Sequence, residues 1–205
     1  MSRFQTLRLA LPLLLAGHAT VLFGVDGVVL IDQNRALAGN VTPGDTPGFP
    51  IWITQPGSYR LSGNLTVPGE LSGIEVRADG VTIDLNGFSI IGPGAGAGRG
   101  IDVLAFFAVP AFHETTVLNG TVRRMGNAGI VLGDRSRVEN VRAISNGLSG
   151  IFVGSGSVVR NNISYGHSIG IQAVFSSVVG NTARNNSTVD IQAVDSTRDQ
   201  NFPAP

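Results

Sequence analysis

The C-terminal half of the chain decides the fold. Residues 128–195 read AGIVLGDRSRVENVRAISNGLSGIFVGSGSVVRNNISYGHSIGIQAVFSSVVGNTARNNSTVDIQAVD. An isoleucine after a small or polar residue returns every 20 to 21 residues, at Ile130, Ile151, Ile171 and Ile191. An apolar or small residue follows two positions later, at Leu132, Val153, Ala173 and Ala193. This apolar–x–apolar pattern predicts a short strand with one inward face in each repeat.

A second strand is predicted in each repeat. Its inward residue lies eight positions after the isoleucine, at Val138, Val159 and Val179. A strand can pair with its next copy about 20 residues later only if the chain coils, and stacked coils form parallel sheets about 4.8 Å apart per coil. We therefore predict an all-β solenoid, a single-stranded parallel β-helix.

Asparagine recurs beside the second strand, at Asn140, Asn161 and Asn181. Side-chain amides stacked in register can bond to one another along the axis, and Asn tolerates the left-handed corner between two sheets. We predict that these three residues form an internal structural ladder; the alternative is a row that binds sugar.

The first half is less regular. The isoleucines Ile74, Ile101 and Ile130 are 27 and 29 residues apart, so two longer coils occupy 72–127. Short strands are predicted at 51–54, 55–61, 64–67 and 81–87, and a short helix at 31–38. An open end of a solenoid exposes core and unpaired backbone. We assign 25–50 to an N-terminal cap, 51–197 to the β-helix and 198–205 to a C-terminal tail.

The N-terminus has the pattern of an export signal. Arg3 and Arg8 precede a short apolar run, and Gly17 and Ala19 are the small residues of a cleavage site. We predict a signal peptide at 1–19 and a secreted or cell-surface protein. An uncleaved anchor is the alternative, but the run is short for a stable span of about 20 residues.

Composition excludes several classes of protein. The 14 basic residues, all Arg, equal the 14 acidic ones, so no net field draws the chain to nucleic acid. There is no Cys, which excludes disulfides and thiolate metal sites. Three scattered His residues do not indicate a metal site, and no cofactor is predicted.

Three stretches carry a family resemblance: PGSYRLSGNL at 56–65, VTIDLNGF at 81–88, and the Gly-Ile repeats. They resemble bacterial secreted right-handed parallel β-helix repeat proteins of the pectin-lyase-like superfamily, over about residues 28–195. The resemblance implies a right-handed helix. Superfamily members include polysaccharide lyases, glycoside hydrolases, epimerases, phage tailspikes and adhesins, so the fold does not define the activity.

No catalytic motif of that superfamily is present. The Asn-Thr-Asp, Asp-Asp, Gly-His-Gly and Arg-x-Lys groups of polygalacturonase-type enzymes are missing. The best candidates for catalysis are His113 and Glu114 with Arg123 and Arg124. Asp84 and Asp102 are candidate ligand-binding residues on neighbouring coils. An Arg pair can bind a uronate carboxylate, and His or Glu can move a proton. The alternative is that all are solvated turn residues in surface ion pairs.

An apolar insertion, residues 104–112, contains Phe106, Phe107 and Phe112. These rings are predicted either to form a flap over the sheet or to stack on sugar rings.

Three functions remain open. The first is an extracellular surface, structural or carbohydrate-binding module without catalysis. The second is a polysaccharide lyase or related enzyme acting on a uronate polymer, the one case in which calcium is expected. The third is part of a longer adhesin-like solenoid. Polysaccharide is the predicted partner, and self-association through the helix ends is a further expectation.

Overall fold

The computed structural model describes residues 27–103 and 112–202. The predicted signal peptide, Phe106 and Phe107 lie outside the described residues. The elements in chain order are β1 Val28–Ile31, α1 Gln33–Ala38, β2 Ile51–Ile53, β3 Gly57–Leu61, β4 Leu65–Thr66, β5 Ile74–Val76, β6 Val81–Asp84, β7 Ser89–Ile91, β8 Ile101–Val103, β9 Thr116–Arg123, β10 Ile130–Leu132, β11 Arg137–Ile144, β12 Ser149–Val153, β13 Val158–Arg160, β14 Ile163–Tyr165, β15 Ile169–Val174, β16 Ser177–Val179, β17 Thr182–Arg184, β18 Val189–Val194 and β19 Thr197–Asp199.

The strands stack into a right-handed parallel β-helix with three faces, which confirms the predicted fold. The first face is a seven-stranded sheet of β2, β5, β8, β10, β12, β15 and β18. A twelve-stranded sheet bends at one corner and supplies the other two faces. The second face contains β1, β3, β6, β13, β16 and β19 with the first halves of β9 and β11. The third contains β4, β7, β14 and β17 with the second halves of β9 and β11.

The isoleucine column forms the core behind the first face. Ile130 pairs with Ile151, and Ile151 with Ile171, each without exposed surface. Val138 pairs with Val159, as predicted. The prediction for the next coil is wrong by one residue, because Val178 and not Val179 pairs with Val159. Val153 and Val158 are five positions apart, whereas their partners Ala173 and Ser177 are four apart, so the inward position comes one residue earlier.

The glycines of the repeat are required by the close stacking of coils. A Cβ on Gly129 would lie 2.6 Å from the carbonyl oxygen of Gly150, and one on Gly150 would lie 2.6 Å from that of Gly170. Contacts this short do not occur for real Cβ atoms, so a side chain would force the coils apart. The column ends at Asp190, in the last coil, where the position carries a side chain.

The β-helix extends beyond both predicted limits. Strand β1, within the predicted cap, pairs in parallel with β3 and so belongs to the second face. Helix α1 begins after Asp32, whose carboxylate accepts from the Arg35 N–H at 2.8 Å, and it buries Ala36 against the core. At the other end, Arg198 and Asp199 lie in β19 and Phe202 pairs with Thr182, so the predicted tail starts within the last coil. Within 27–103 and 112–202, no helix is long and apolar enough to cross a membrane.

Candidate functional site

The buried polar side chains of the regular coils form ladders between coils. Asn162 is 1% exposed; its Oδ1 accepts from Val141 N, and its Nδ2 donates to Val138 O and to Asn181 Oδ1. Asn181 repeats the pattern with Asn201 and with Val159 O. This is the internal ladder that the repeat predicts, at Asn162, Asn181 and Asn201.

The predicted ladder position is wrong at Asn140 and Asn161. Both are exposed and have left-handed backbones, with φ of 55° and 56°. They turn the corner between the second and third faces, and the residue after each one points inward. The left-handed corner was expected for these residues, but the inward amide belongs to the next position, where Asn162 replaces Val141 of the preceding coil.

Two further columns occupy the other corners. Ser157, Ser176 and Ser196 each accept through Oγ from the main-chain N–H of the preceding coil's equivalent residue. In the third column, Asn146 N donates to His167 Nδ1 at 3.0 Å, and His167 N donates to Asn186 Oδ1 at 3.0 Å. Burial lowers the pKa of His167, whose Nε2 lies 3.1 Å from Ala143 O. Stacking therefore accounts for these buried polar groups.

The candidate catalytic residues are not brought together. His113 and Glu114 precede β9, whereas Arg123 and Arg124 lie at its opposite end, on a different corner. Glu114 pairs with Arg135 at 3.1 Å, both side chains being more than half exposed. Arg124 donates to Pro93 O at 3.3 Å. The His113 N–H donates to Asp79 Oδ1 at 2.7 Å, and its ring Nδ1 is buried with no partner among the described residues.

The candidate ligand-binding residues Asp84 and Asp102 lie on different faces of the β-helix. Asp84 faces outward on the second face, where it pairs with Arg60 at 3.1 Å and accepts from Asn119. Asp102 faces outward on the first face. Phe112 is half buried and packs against the core. Residues 104–111 lie outside the described residues, so the predicted flap stays a prediction.

Around Asp102 the outward residues of the first face form a column that is mostly polar and aromatic and is interrupted by the buried Val131. The central residue of each apolar–x–apolar strand points outward, and the parallel register stacks these residues about 4.8 Å apart. From the N-terminal coil onward the column consists of Trp52, Glu75, Asp102, Val131, Phe152, Gln172 and Gln192. We call this column the first-face strip.

Two Arg–carboxylate pairs occupy the N-terminal half of the strip. Arg77 Nε lies 2.8 Å from Glu75 Oε1, and Arg99 Nη1 contacts both oxygens of Asp102, at 2.9 and 2.8 Å. The carboxylate side chains are only 13% and 16% exposed although they lie outside the sheet. Burial raises the pKa of Asp102, and the Arg99 guanidinium opposes that effect.

Trp52 completes this cluster. The Arg77 guanidinium carbon lies 3.7 Å from the indole ring centre, a cation–π contact. The main chain of Trp52 is held from the cap, because its N–H donates to Asp45 Oδ1 at 2.8 Å and its carbonyl accepts from the Thr42 hydroxyl at 2.6 Å. A half-buried side chain that packs against Arg77 and has its backbone anchored in this way is pre-organised, since little rotamer freedom remains to be lost on binding.

The sequence pattern names Asp102 as a candidate ligand-binding residue, but it does not name its neighbours Trp52, Glu75, Arg77 and Arg99. A signal was present: the same apolar–x–apolar pattern that predicts the strands also gives the outward residue at its centre. Reading that central residue coil by coil yields the first-face strip. The two arginines carried no such signal, because they lie in or beside turns of irregular length.

Within 27–103 and 112–202, no group of three or more His, Asp or Glu side chains is arranged to hold a metal ion. A family model described as right handed beta helix region matches residues 107–201. No curated protein and no solved structure matches the chain. The matched region contains β9 to β19, and the stacking of parallel strands continues on its N-terminal side through β8 to β1. The chain thus folds as a right-handed parallel β-helix.

Proposed function

We propose that the protein is an exported β-helix module that binds a polysaccharide along the first-face strip. The observation that carries this proposal is the cluster of Trp52, Glu75 and Asp102, stacked in register and half buried outside the sheet. Export is part of the proposal and depends on the signal pattern at 1–19.

The chemistry of the strip suits sugar hydroxyls. Carboxylate oxygens accept from hydroxyl groups, guanidinium groups donate to them, and the amides of Gln172 and Gln192 do both. Both charges in each Arg–carboxylate pair are already compensated, so the cluster offers no net charge to a ligand. An uncharged polysaccharide lying across the coils of Trp52, Glu75 and Asp102 therefore fits this part of the strip better than a polyanion.

The strip contains its own reporter, because Trp52 is the single tryptophan of the chain. We expect saturable changes in tryptophan fluorescence when the mature protein is titrated with β-1,4-linked gluco-, xylo- or manno-oligosaccharides. Asp102→Asn and Arg77→Ala should each weaken the binding about tenfold, since one hydrogen bond to a charged group contributes about 1.5 kcal/mol.

Arg60→Ala is the matched control, because Arg60 is also ion-paired but lies on the second face. It should leave the affinity unchanged. Fluorescence that does not change with any of the three oligosaccharides, or an Asp102→Asn variant with the affinity of the unaltered protein, would contradict the proposal.

A further inference from the structure

The third face presents a second kind of surface. Its outward residues form two columns that run along the helix axis. One column contains Ile91, Arg123, Ile144, Tyr165 and Arg184, and the neighbouring one contains Ser89, Thr121, Arg142, Ile163, Thr182 and Phe202. Neither column contains an acidic residue. We call the surface around Arg123, Arg142 and Arg184 the third-face stripe.

The arginines of this stripe differ from the others in the described chain. Arginines elsewhere pair with a carboxylate, as at Arg60, Arg77, Arg99, Arg135, Arg137 and Arg160, or donate to a carbonyl oxygen, as at Arg35, Arg124 and Arg198. Among residues 27–103 and 112–202, only the arginine side chains of Arg123, Arg142 and Arg184 have neither an ion pair nor a hydrogen bond, and all three lie on this face. Two acids lie close to these arginines along the chain: Glu139 pairs with Arg137 and Arg160, and Asp190 accepts from Asn186 at 2.7 Å.

This segregation of charge is local, because the whole chain carries as many acidic as basic residues. An unpaired guanidinium keeps its five donors available to a carboxylate or sulfate group. With strands about 4.8 Å apart, the Cα atoms of Arg123 and Arg184 are roughly 14 Å apart along the axis. Arg142 lies one coil beyond Arg123 in the neighbouring column, with a Cα separation of roughly 8 Å.

An exposed ring lies between the outer arginines. Tyr165 is directly in register with Arg184, it is 45% exposed, and Ile163 beside it is 43% exposed. A flat aromatic face flanked by cations matches a linear polymer of rings that carry anionic groups. We propose that the third-face stripe binds an acidic polysaccharide, with the three arginines on its anionic groups and Tyr165 on a sugar ring.

The charge count favours an acidic polysaccharide over nucleic acid. Proteins that bind duplex DNA commonly neutralise about 6 to 10 phosphates, and a net positive field helps them to associate. Here three cations and two exposed rings, Tyr165 and Phe202, are available on the face, and the net charge of the chain is zero. This site is separate from the first-face strip and takes a charged rather than an uncharged ligand.

The test uses a sulfated dextran oligomer as the probe and unsulfated dextran of the same length as its uncharged counterpart. We expect saturable calorimetric binding of the sulfated oligomer alone, weakening as salt is raised. The triple variant Arg123→Gln, Arg142→Gln, Arg184→Gln should lose on the order of 10- to 100-fold in affinity, the sum of three exposed charge contacts. Tyr165→Ala should weaken binding without changing its salt dependence.

A second triple variant with the same loss of charge serves as the control: Arg60→Gln, Arg137→Gln, Arg198→Gln on the second face. It should bind as tightly as the unaltered protein. If both triple variants lose affinity equally, the attraction is only general charge and the proposal fails. It also fails if single-stranded DNA of equal charge binds as tightly as the sulfated oligomer. Should the stripe variant melt early, the single exchange Arg142→Glu provides the same test. Neutral oligosaccharide binding at Trp52 should be unaffected, so this result is independent of the first-face strip.

Discussion

The position of the asparagine ladder can be tested by comparing neighbouring residues. Asn162→Ala removes three side-chain hydrogen bonds, those with Val141 N at 2.9 Å, Val138 O at 3.0 Å and Asn181 Oδ1 at 3.0 Å. Each is buried, so no water replaces the lost amide. At about 1 kcal/mol for each bond, the free energy of unfolding should fall by about 3 kcal/mol.

The matched control is Asn161→Gly. Asn161 is exposed, its side chain makes no hydrogen bond within the described part of the chain, and its φ of 56° suits glycine. We expect a change of less than about 0.5 kcal/mol, the usual size for a surface exchange. Alanine would be a poor control here, because a left-handed backbone costs a residue with a Cβ roughly 1 to 2 kcal/mol.

The measurement is equilibrium unfolding in urea, followed by far-ultraviolet circular dichroism because the β-helix dominates that signal. In a thermal melt the same loss should lower the midpoint of Asn162→Ala by roughly 6 to 12 °C. The reasoning is refuted if Asn162→Ala costs less than about 1 kcal/mol, or if Asn161→Gly costs as much as Asn162→Ala.

Two further predictions concern the regular coils. The first is pH dependence at His167: burial lowers its folded pKa, so the unfolded chain binds the proton more readily. Stability should be constant above the ordinary His pKa of about 6.5 and fall below it as the pH approaches the lowered value. Asparagine occupies the equivalent position in the neighbouring coils, at Asn146 and Asn186. His167→Asn should therefore remove the pH dependence of the unfolding free energy between about pH 6.5 and 5, as measured by urea titration. If the pH dependence persists in this variant, another group causes it. The second is Gly150→Ala, whose Cβ would meet Gly170 O at 2.6 Å and Ser164 Oγ at 2.2 Å; overpacking of this kind costs about 1 to 3 kcal/mol. Gly27→Ala, with no atom within 4 Å, should be neutral in the same urea measurement, and equal losses in both variants would argue against the stacking constraint.

The predicted fold depended on residues whose role is repeated in every coil. Ile130, Ile151 and Ile171 are inward in all coils, and the glycines before Ile130, Ile151 and Ile171 lie where the next coil's carbonyl approaches. Because a solenoid makes the same contacts once per repeat, the same residue types recur along the sequence at the length of one coil. The inward position in the coil of Val179 was harder to predict, because Ala173 and Ser177 are one position closer together than Val153 and Val158. The inward asparagines were harder to predict because each one follows the corner residue.

The candidate sites were less accessible to sequence reasoning. His113, Glu114, Arg123 and Arg124 are close along the chain, but β9 separates them, and Glu114 pairs with Arg135 of the next coil. Conversely, Trp52 and Asp102 are 50 positions apart in the sequence yet belong to one column on the first face. In a β-helix, neighbours on a face are one coil apart, and a spacing of irregular length hides that relation.

The repeat in the sequence is enough to identify a parallel β-helix, the extent of its regular coils and the isoleucines that fill its core. These features follow from local strand patterns and from the need of each coil to bury one face on the next. The three-dimensional arrangement was needed to show which asparagine points inward, which arginine side chains remain unpaired, and that Arg123, Arg142 and Arg184 share one face. The physical reason is register: a change of one residue in a turn moves a side chain from the core to the surface, or from one column to the next.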